Sequence, residues 1–171
     1  MGFTTNIIGS GVYIESKIGD GILTAKHVAE ALSRSNERII VCNMQKENCS
    51  YIKENYISSS NNELDGDWAF YKGEFNYKKS KIYSKELKIQ EEVFAIGNAW
   101  GVQSWVSRGN VSWIDKEKLV HIQGFCAPGC SGGGVFKGNK VAGIIVAIHF
   151  NDFGPETTQL IAIPVSKMSI F

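Results

Sequence analysis

Gly129-Cys130-Ser131-Gly132-Gly133-Gly134 sets one serine among glycines, with Phe125 upstream and Val135 and Phe136 directly after it. Such a run fits a plain flexible turn. It also fits a backbone that turns its N–H groups toward one point and leaves the hydroxyl bare. Glycine allows the second arrangement because it has no Cβ to block a ligand and tolerates φ > 0. The N–H groups of Gly129 and Ser131 would then hold the oxyanion formed when Ser131 attacks a carbonyl. A serine hydroxyl alone is a weak nucleophile. It needs a base within hydrogen-bond reach and a third group to orient that base.

The chain has 171 residues and a formal net charge of +1. That length suits one large domain or two fused subdomains, and it buries a core without staples. The near-neutral charge points away from a nucleic-acid partner. No apolar run is long enough to span a bilayer, so no membrane partner is expected. Met1-Gly-Phe-Thr-Thr-Asn6 lacks a basic segment followed by an apolar one, so a cytoplasmic location is expected unless a leader was trimmed. Cys42, Cys49, Cys126 and Cys130 are expected to be free thiols, because a chain of this length without an export signal does not require bridges. No metal or organic cofactor is implied: the histidines are scattered and no acidic cluster has calcium-loop spacing. Oligomeric state is not encoded in any recognisable pattern.

Short apolar, β-branched runs recur along the chain. Strands are expected at 11–14, 21–25, 38–41, 68–71, 93–96, 105–106, 119–122, 141–148 and 159–163. Ile18-Gly-Asp-Gly21 and Lys137-Gly-Asn-Lys140 read as turns between them. Ser58–Asn62 reads as an exposed loop and 77–81 as a solvated stretch that joins two halves. Short helices are expected at His27–Leu32 and after Pro164. Many short strands and few helices predict an all-β barrel or sandwich.

Two further residues complete a constellation. Leu23-Thr24-Ala25-Lys26-His27 carries a histidine at the exit of a strand. Asp67-Trp68-Ala69-Phe70 sets a carboxylate at the start of an apolar strand. Asp65 competes with Asp67, since Asp-Gly-Asp is also a turn sequence. Asp67 is preferred because the apolar run after it carries its side chain toward a core edge, where it needs a partner. The order His27, Asp67, Ser131 is one of the chain orders in which a catalytic triad occurs.

These pieces, with Gly143-Ile144-Ile145, Gly97-Asn98-Ala99-Trp100-Gly101 and Ser107–Val111, resemble trypsin-like serine proteases of the chymotrypsin fold over most of the chain. The HtrA-like and glutamyl-endopeptidase branch, and compact viral or phage members, are the most similar. The resemblance implies two antiparallel six-stranded β-barrels in a single protease domain. The first, about 1–85, would carry His27 and Asp67; the second, about 86–171, would carry Ser131, with the site between them. It implies a serine endopeptidase acting on protein or peptide substrates through an acyl-enzyme, with Gly129 and Ser131 as the oxyanion hole. Phe125, Cys126 and Ala127 would form one wall of the pocket for the residue before the scissile bond. Ile145, Val146 and Ala147 would form the strand that pairs with substrate. The pocket has no acid at its base, so cleavage after Lys or Arg is not expected and an apolar side chain is. A counter-reading has His121 or His149 recognise Glu or Gln; an ordinary structural histidine is preferred for both. Cys130 takes the place beside the serine where trypsins carry an aspartate, so activation by a freed N-terminus is not expected. A rival reading from another class is a catalytically inactive two-barrel module that binds extended peptides.

Overall fold

The computed structural model describes residues 9–35, 38–52, 55–102, 105–149 and 158–171. Thirteen strands dominate them. Those of the first half are β1 (Val12–Ser16), β2 (Gly19–Thr24), β3 (Ile39–Cys42), β4 (Cys49–Ile52), β5 (Ile57–Ser58) and β6 (Ala69–Lys72). The second half holds β8 (Glu92–Gly97), β9 (Trp105–Ile114), β10 (Val120–Gln123), β11 (Gly134–Lys137), β12 (Lys140–His149) and β13 (Gln159–Pro164). Between them runs the two-residue β7 (Lys81–Ile82). Among the described residues the single α-helix, α1 (Lys26–Arg34), starts directly after β2, and a one-turn 3-10 helix at Val165–Lys167 stands where a C-terminal helix was expected.

In the second half the strands run in the order β11-β8-β9-β10-β13-β12, and β12 pairs back onto β11. The ring of six strands is therefore closed, which leaves no unpaired edge. The first half divides its six strands between a four-stranded sheet, β1-β2-β6-β5, and a separate hairpin, β3-β4. The fold is all-β and chymotrypsin-like in its strand order, with one barrel closed by hydrogen bonds.

Burial explains why the two halves stay together. One cluster, including Val93, Val111, Ile122, Val135 and Leu160, fills the closed barrel. Another joins Val12, Ile14, Leu23 and Phe70 of the first half to Leu119, Val141, Ile144 and Ile163 of the second. Phe70, Ile14 and Leu23 are fully buried. Truncating an aromatic side chain such as Phe70 in this shared layer costs about 3–5 kcal/mol.

The sulfurs of Cys42 and Cys49 are joined, and so are those of Cys126 and Cys130, which corrects the expectation of four free thiols. Cys42 and Cys49 face each other across the β3–β4 register. Cys126 and Cys130 bracket a turn in which the Cys130 N–H donates to Ala127 O (3.1 Å). Both pairs are brought together by local backbone geometry, which spacing along the chain does not display.

Other sequence readings shift slightly. The turn between β1 and β2 is Lys17-Ile18; Gly19, Asp20 and Gly21 already belong to β2. The stretch 77–81 is tied down rather than loose: Tyr77 Oη donates to Val41 O (2.7 Å), and Lys81 begins β7, which pairs with β12.

Candidate active site

Three segments converge where the first half meets the closed barrel. The first is the exit of β2. Ala25 is fully buried and holds the N-terminal position of α1, so His27 falls in the first helical turn with its ring at the surface. The second is the 3-10 turn Leu64–Gly66, which ends at Asp67. Trp68 is buried directly after it and fixes the chain.

Asp67 holds His27 at two points. Its Oδ1 accepts the His27 backbone N–H at 2.9 Å, and its Oδ2 lies 2.6 Å from Nδ1 of the ring. An ionised carboxylate only accepts, so Nδ1 carries the proton and Nε2 keeps its lone pair. The hydrogen bond to Asp67 is the largest influence on the imidazole and raises its pKa above the ordinary value near 6.5. Partial burial opposes that shift, and the charges of Asp67 and Glu30 reinforce it. Asp65 is engaged elsewhere: it accepts from Asn61 Nδ2 at 2.7 Å and from Lys167 Nζ at 3.1 Å.

The third segment is the serine loop. Gly132 has φ +83°, and a Cβ there would strike Ser10 O, Thr24 Oγ1 and the Ala25 nitrogen. Only glycine permits this approach, which presses the residue after Ser131 onto the strand that ends three residues before His27. Ser131 itself is half-buried in the turn ahead of β11.

The carbonyls of the loop are tied down one by one. Pro128 O accepts the Trp100 N–H (2.7 Å), and Cys130 O accepts the Gly133 N–H (2.8 Å). In a trans peptide the N–H points opposite to its C=O. The amides of Gly129 and Ser131 belong to these two peptide planes, so both are aimed away from the anchors. Among the described residues neither donates to any acceptor. Gly129 has φ +103°, and a Cβ there would strike Asn98 O.

Ser10, which sequence reading missed, braces the same loop from the first half. Its Oγ donates to Gly129 O (2.7 Å) and accepts the Asn98 N–H (2.9 Å). Its own N–H donates to Ser131 O (2.9 Å), and its carbonyl accepts from Thr24 Oγ1 (2.6 Å). The signal was present as Gly9-Ser10-Gly11, a second serine between glycines.

The expected pocket residues divide by burial. Cys126, Ala127 and Ile145 lie in the core of the closed barrel, and Val146 lies in the layer between the halves. Phe125 and Ala147 keep partial exposure. Val146 is the extra residue at a register shift in β12, where Ile145 and Ala147 face Ala162 and Ile161 of β13. Bulges of this kind re-aim side chains beside active sites. A cavity of about 460 Å³ opens beside His27, lined by Lys26, Glu30, Asn61, Asn62 and Asp67 among others. Lys26 is held in this lining by its Nζ, which donates to Ser59 O (3.0 Å) and Asn62 Oδ1 (2.9 Å).

His121 is 3.1 Å from Asp115 Oδ2 and packs on Trp113, and His149 is exposed at the end of β12. Among the described residues no three His, Cys, Asp or Glu side chains gather to hold a metal ion.

A family profile for the trypsin-like peptidase domain matches residues 9–148. The chain belongs to the trypsin-like peptidase family. Among solved structures it is similar to the serine endoprotease from Yersinia pestis, with a TM-score of 0.72, 26% identity, and coverage of 97% of this chain and 56% of that one. It is also similar to the HtrA-type protease AlgW with a decapeptide, with a TM-score of 0.73, 24% identity, and coverage of 93% of this chain and 48% of that one. The chain thus spans about half the length of these proteases. The AlgW likeness, at that identity, is one of fold. No curated protein sequence matches the chain.

Proposed function

We propose that this member of the trypsin-like family is a serine endopeptidase in which His27, Asp67 and Ser131 form the catalytic triad. The observation that carries the reading is the two-point hold of Asp67 on His27, which leaves Nε2 as the basic nitrogen. His27 takes the proton from Ser131 Oγ as that oxygen adds to a peptide carbonyl, and Asp67 stabilises the imidazolium. The Gly129 and Ser131 N–H groups receive the oxyanion; losing one such donor costs about 3 kcal/mol of transition-state stabilisation. The imidazolium then protonates the leaving amine, and water, deprotonated by His27, releases the acyl group.

In this reading the halves at about 1–85 and 86–171 act as two barrels with the site between them, and no cofactor takes part. The substrate is an extended peptide paired with Ile145–Ala147. Phe125, which keeps partial exposure, walls the pocket that accepts an apolar side chain before the scissile bond, and Cys126 and Ala127 back it from the barrel core. The AlgW structure, described as being with a decapeptide, is in keeping with a peptide ligand.

A fluorophosphonate probe tests the proposal. The expected result is labelling of the parent protein that vanishes in Ser131→Ala and in His27→Ala. A folded parent that does not label overturns the reading in favour of a module that binds peptides without cutting them.

A further inference from the structure

Trp100 combines two costly features. Its backbone is left-handed (φ 49°, ψ 30°), and its side chain is 65% exposed. A bulky residue with φ > 0 is uncommon, and such outliers gather at functional sites. The ring is also held firmly from behind. It packs on Phe125 at 5.8 Å, and Phe125 packs in turn on Trp105 at 5.6 Å. Val102, exposed in the same loop, extends the apolar surface.

The topology fixes where this surface lies relative to Ser131. β11 runs between β8 and β12: Gly134 faces Ile96 on one side and Ile144 on the other. The serine loop leads into Gly134. Continuing past that level, β8 delivers Gly97–Trp100, and β12 delivers Ile145–Ala147. The two segments therefore flank the serine loop from opposite sides. An extended substrate paired with Ile145–Ala147 through its acyl part leaves past Ser131 toward Trp100.

We propose that the indole of Trp100, backed by Phe125, binds an apolar side chain on the leaving-group side of the scissile bond. The inference rests on the endopeptidase reading above. Covering an exposed indole with an aliphatic or aromatic side chain removes apolar area from water on both partners. A polar side chain there gains nothing comparable, so the surface acts as a filter. Because it acts on the departing amine, its selectivity is read in the new N-termini of the products.

The test digests a random peptide library with the parent protein, Trp100→Asn and Trp100→Phe, each matched by fluorophosphonate titration of Ser131. Asparagine tolerates the left-handed backbone and keeps the N–H on Pro128 O, so the oxyanion loop stays supported. The expected result is at least threefold enrichment of apolar residues in the first two positions of the new N-termini. That enrichment falls to about onefold in Trp100→Asn and stays near the parent value in Trp100→Phe. Preferences before the scissile bond shift less than this enrichment, because Trp100 touches that pocket only through Phe125. Enrichment that survives in Trp100→Asn, or is missing from a parent that labels and cleaves, overturns this inference alone. A parent that does not label overturns the endopeptidase reading and this inference with it.

Discussion

Gly132 lies directly against Thr24: a Cβ at position 132 would strike Thr24 Oγ1, which donates its hydrogen to Ser10 O at 2.6 Å. This contact joins the serine loop to the strand that leads into His27. It links the two halves beside the proposed site. The neighbours on the other side are backbone atoms, Ser10 O and Ala25 N, which cannot rotate away. Gly132→Ala is therefore expected to destabilise by about 2–4 kcal/mol, because it combines overpacking with φ +83°. For a chain of this size that lowers Tm by roughly 5–15 °C. Fluorophosphonate labelling below the new Tm should also fall, since the loop shifts away from His27. Unchanged Tm and labelling would show that the loop accommodates a side chain.

The pH profile follows from the Asp67–His27 pair. In the proposed mechanism the base form of His27 does the work, and its pKa lies above 6.5, mainly through the hydrogen bond to Asp67. Activity should rise with pH, with its midpoint above 6.5. Asp67→Asn removes both the acceptor and the charge. The midpoint should move down, and kcat should fall steeply, by about 10⁴-fold in the serine-protease example of this triad. Stability has the opposite trend. A raised folded-state pKa means that the native protein holds the proton more tightly, so this contribution is complete below pH 6.5 and fades as pH rises through the folded value. Kinetics across pH 5–9 on the parent and Asp67→Asn checks both midpoints; a flat profile would falsify the role of His27 as base.

The strands legible in the sequence were those with long apolar runs, such as Val141–Ile148 and Val93–Ile96. They form the walls of the closed barrel, where both composition and burial are strong. β4, β5 and β7 escaped because they are short and half-exposed, so little hydrophobic signal marks them. β11 escaped because its first residue, Gly134, belongs to the glycine run that signals a turn. At the candidate site, His27, Asp67 and Ser131 stand out in the sequence because each is a chemically distinctive residue in a patterned setting. Ser10 was not, since its role depends on Gly129 and Asn98, which lie 119 and 88 positions away.

Ser10 offers a separation of positioning from folding. Its hydroxyl bridges Gly129 O and the Asn98 N–H, while its backbone makes the contacts to Ser131 and Thr24. Ser10→Ala keeps the backbone bonds and loses the bridge. The stability cost should be about 1–2 kcal/mol, the usual worth of such bonds. The larger effect is expected on kcat, roughly tenfold down, because Gly129 is freer to turn its N–H away from the oxyanion. KM should change little, since the hydrogen bonds of Ser10 go to the serine loop, Asn98 and Thr24 and none to Ile145–Ala147, the proposed substrate strand. A raised KM with kcat intact would place Ser10 in substrate binding instead.

The two disulfides are expected to differ in what they support. Cys42–Cys49 closes the exposed β3–β4 hairpin, far along the chain from Ser131. Cys126–Cys130 encloses Ala127, Pro128 and Gly129, the segment that carries one of the two proposed oxyanion amides. Loops this short each gain about 2 kcal/mol in a chain-entropy account of the unfolded state. The stability losses on removing either bridge should thus be similar, while the activity losses should not. Cys42→Ala with Cys49→Ala should keep labelling of Ser131 within about twofold of the parent. Cys126→Ala with Cys130→Ala should lower it at least tenfold, through a loop that no longer presents Gly129. Bridges persist only in an oxidising setting, so alkylation of the protein before and after reduction gives an independent check. No cysteine should react before reduction, and all four should react after it. Four reactive thiols in the untreated protein, with full Ser131 labelling, would show that the loop needs no bridge.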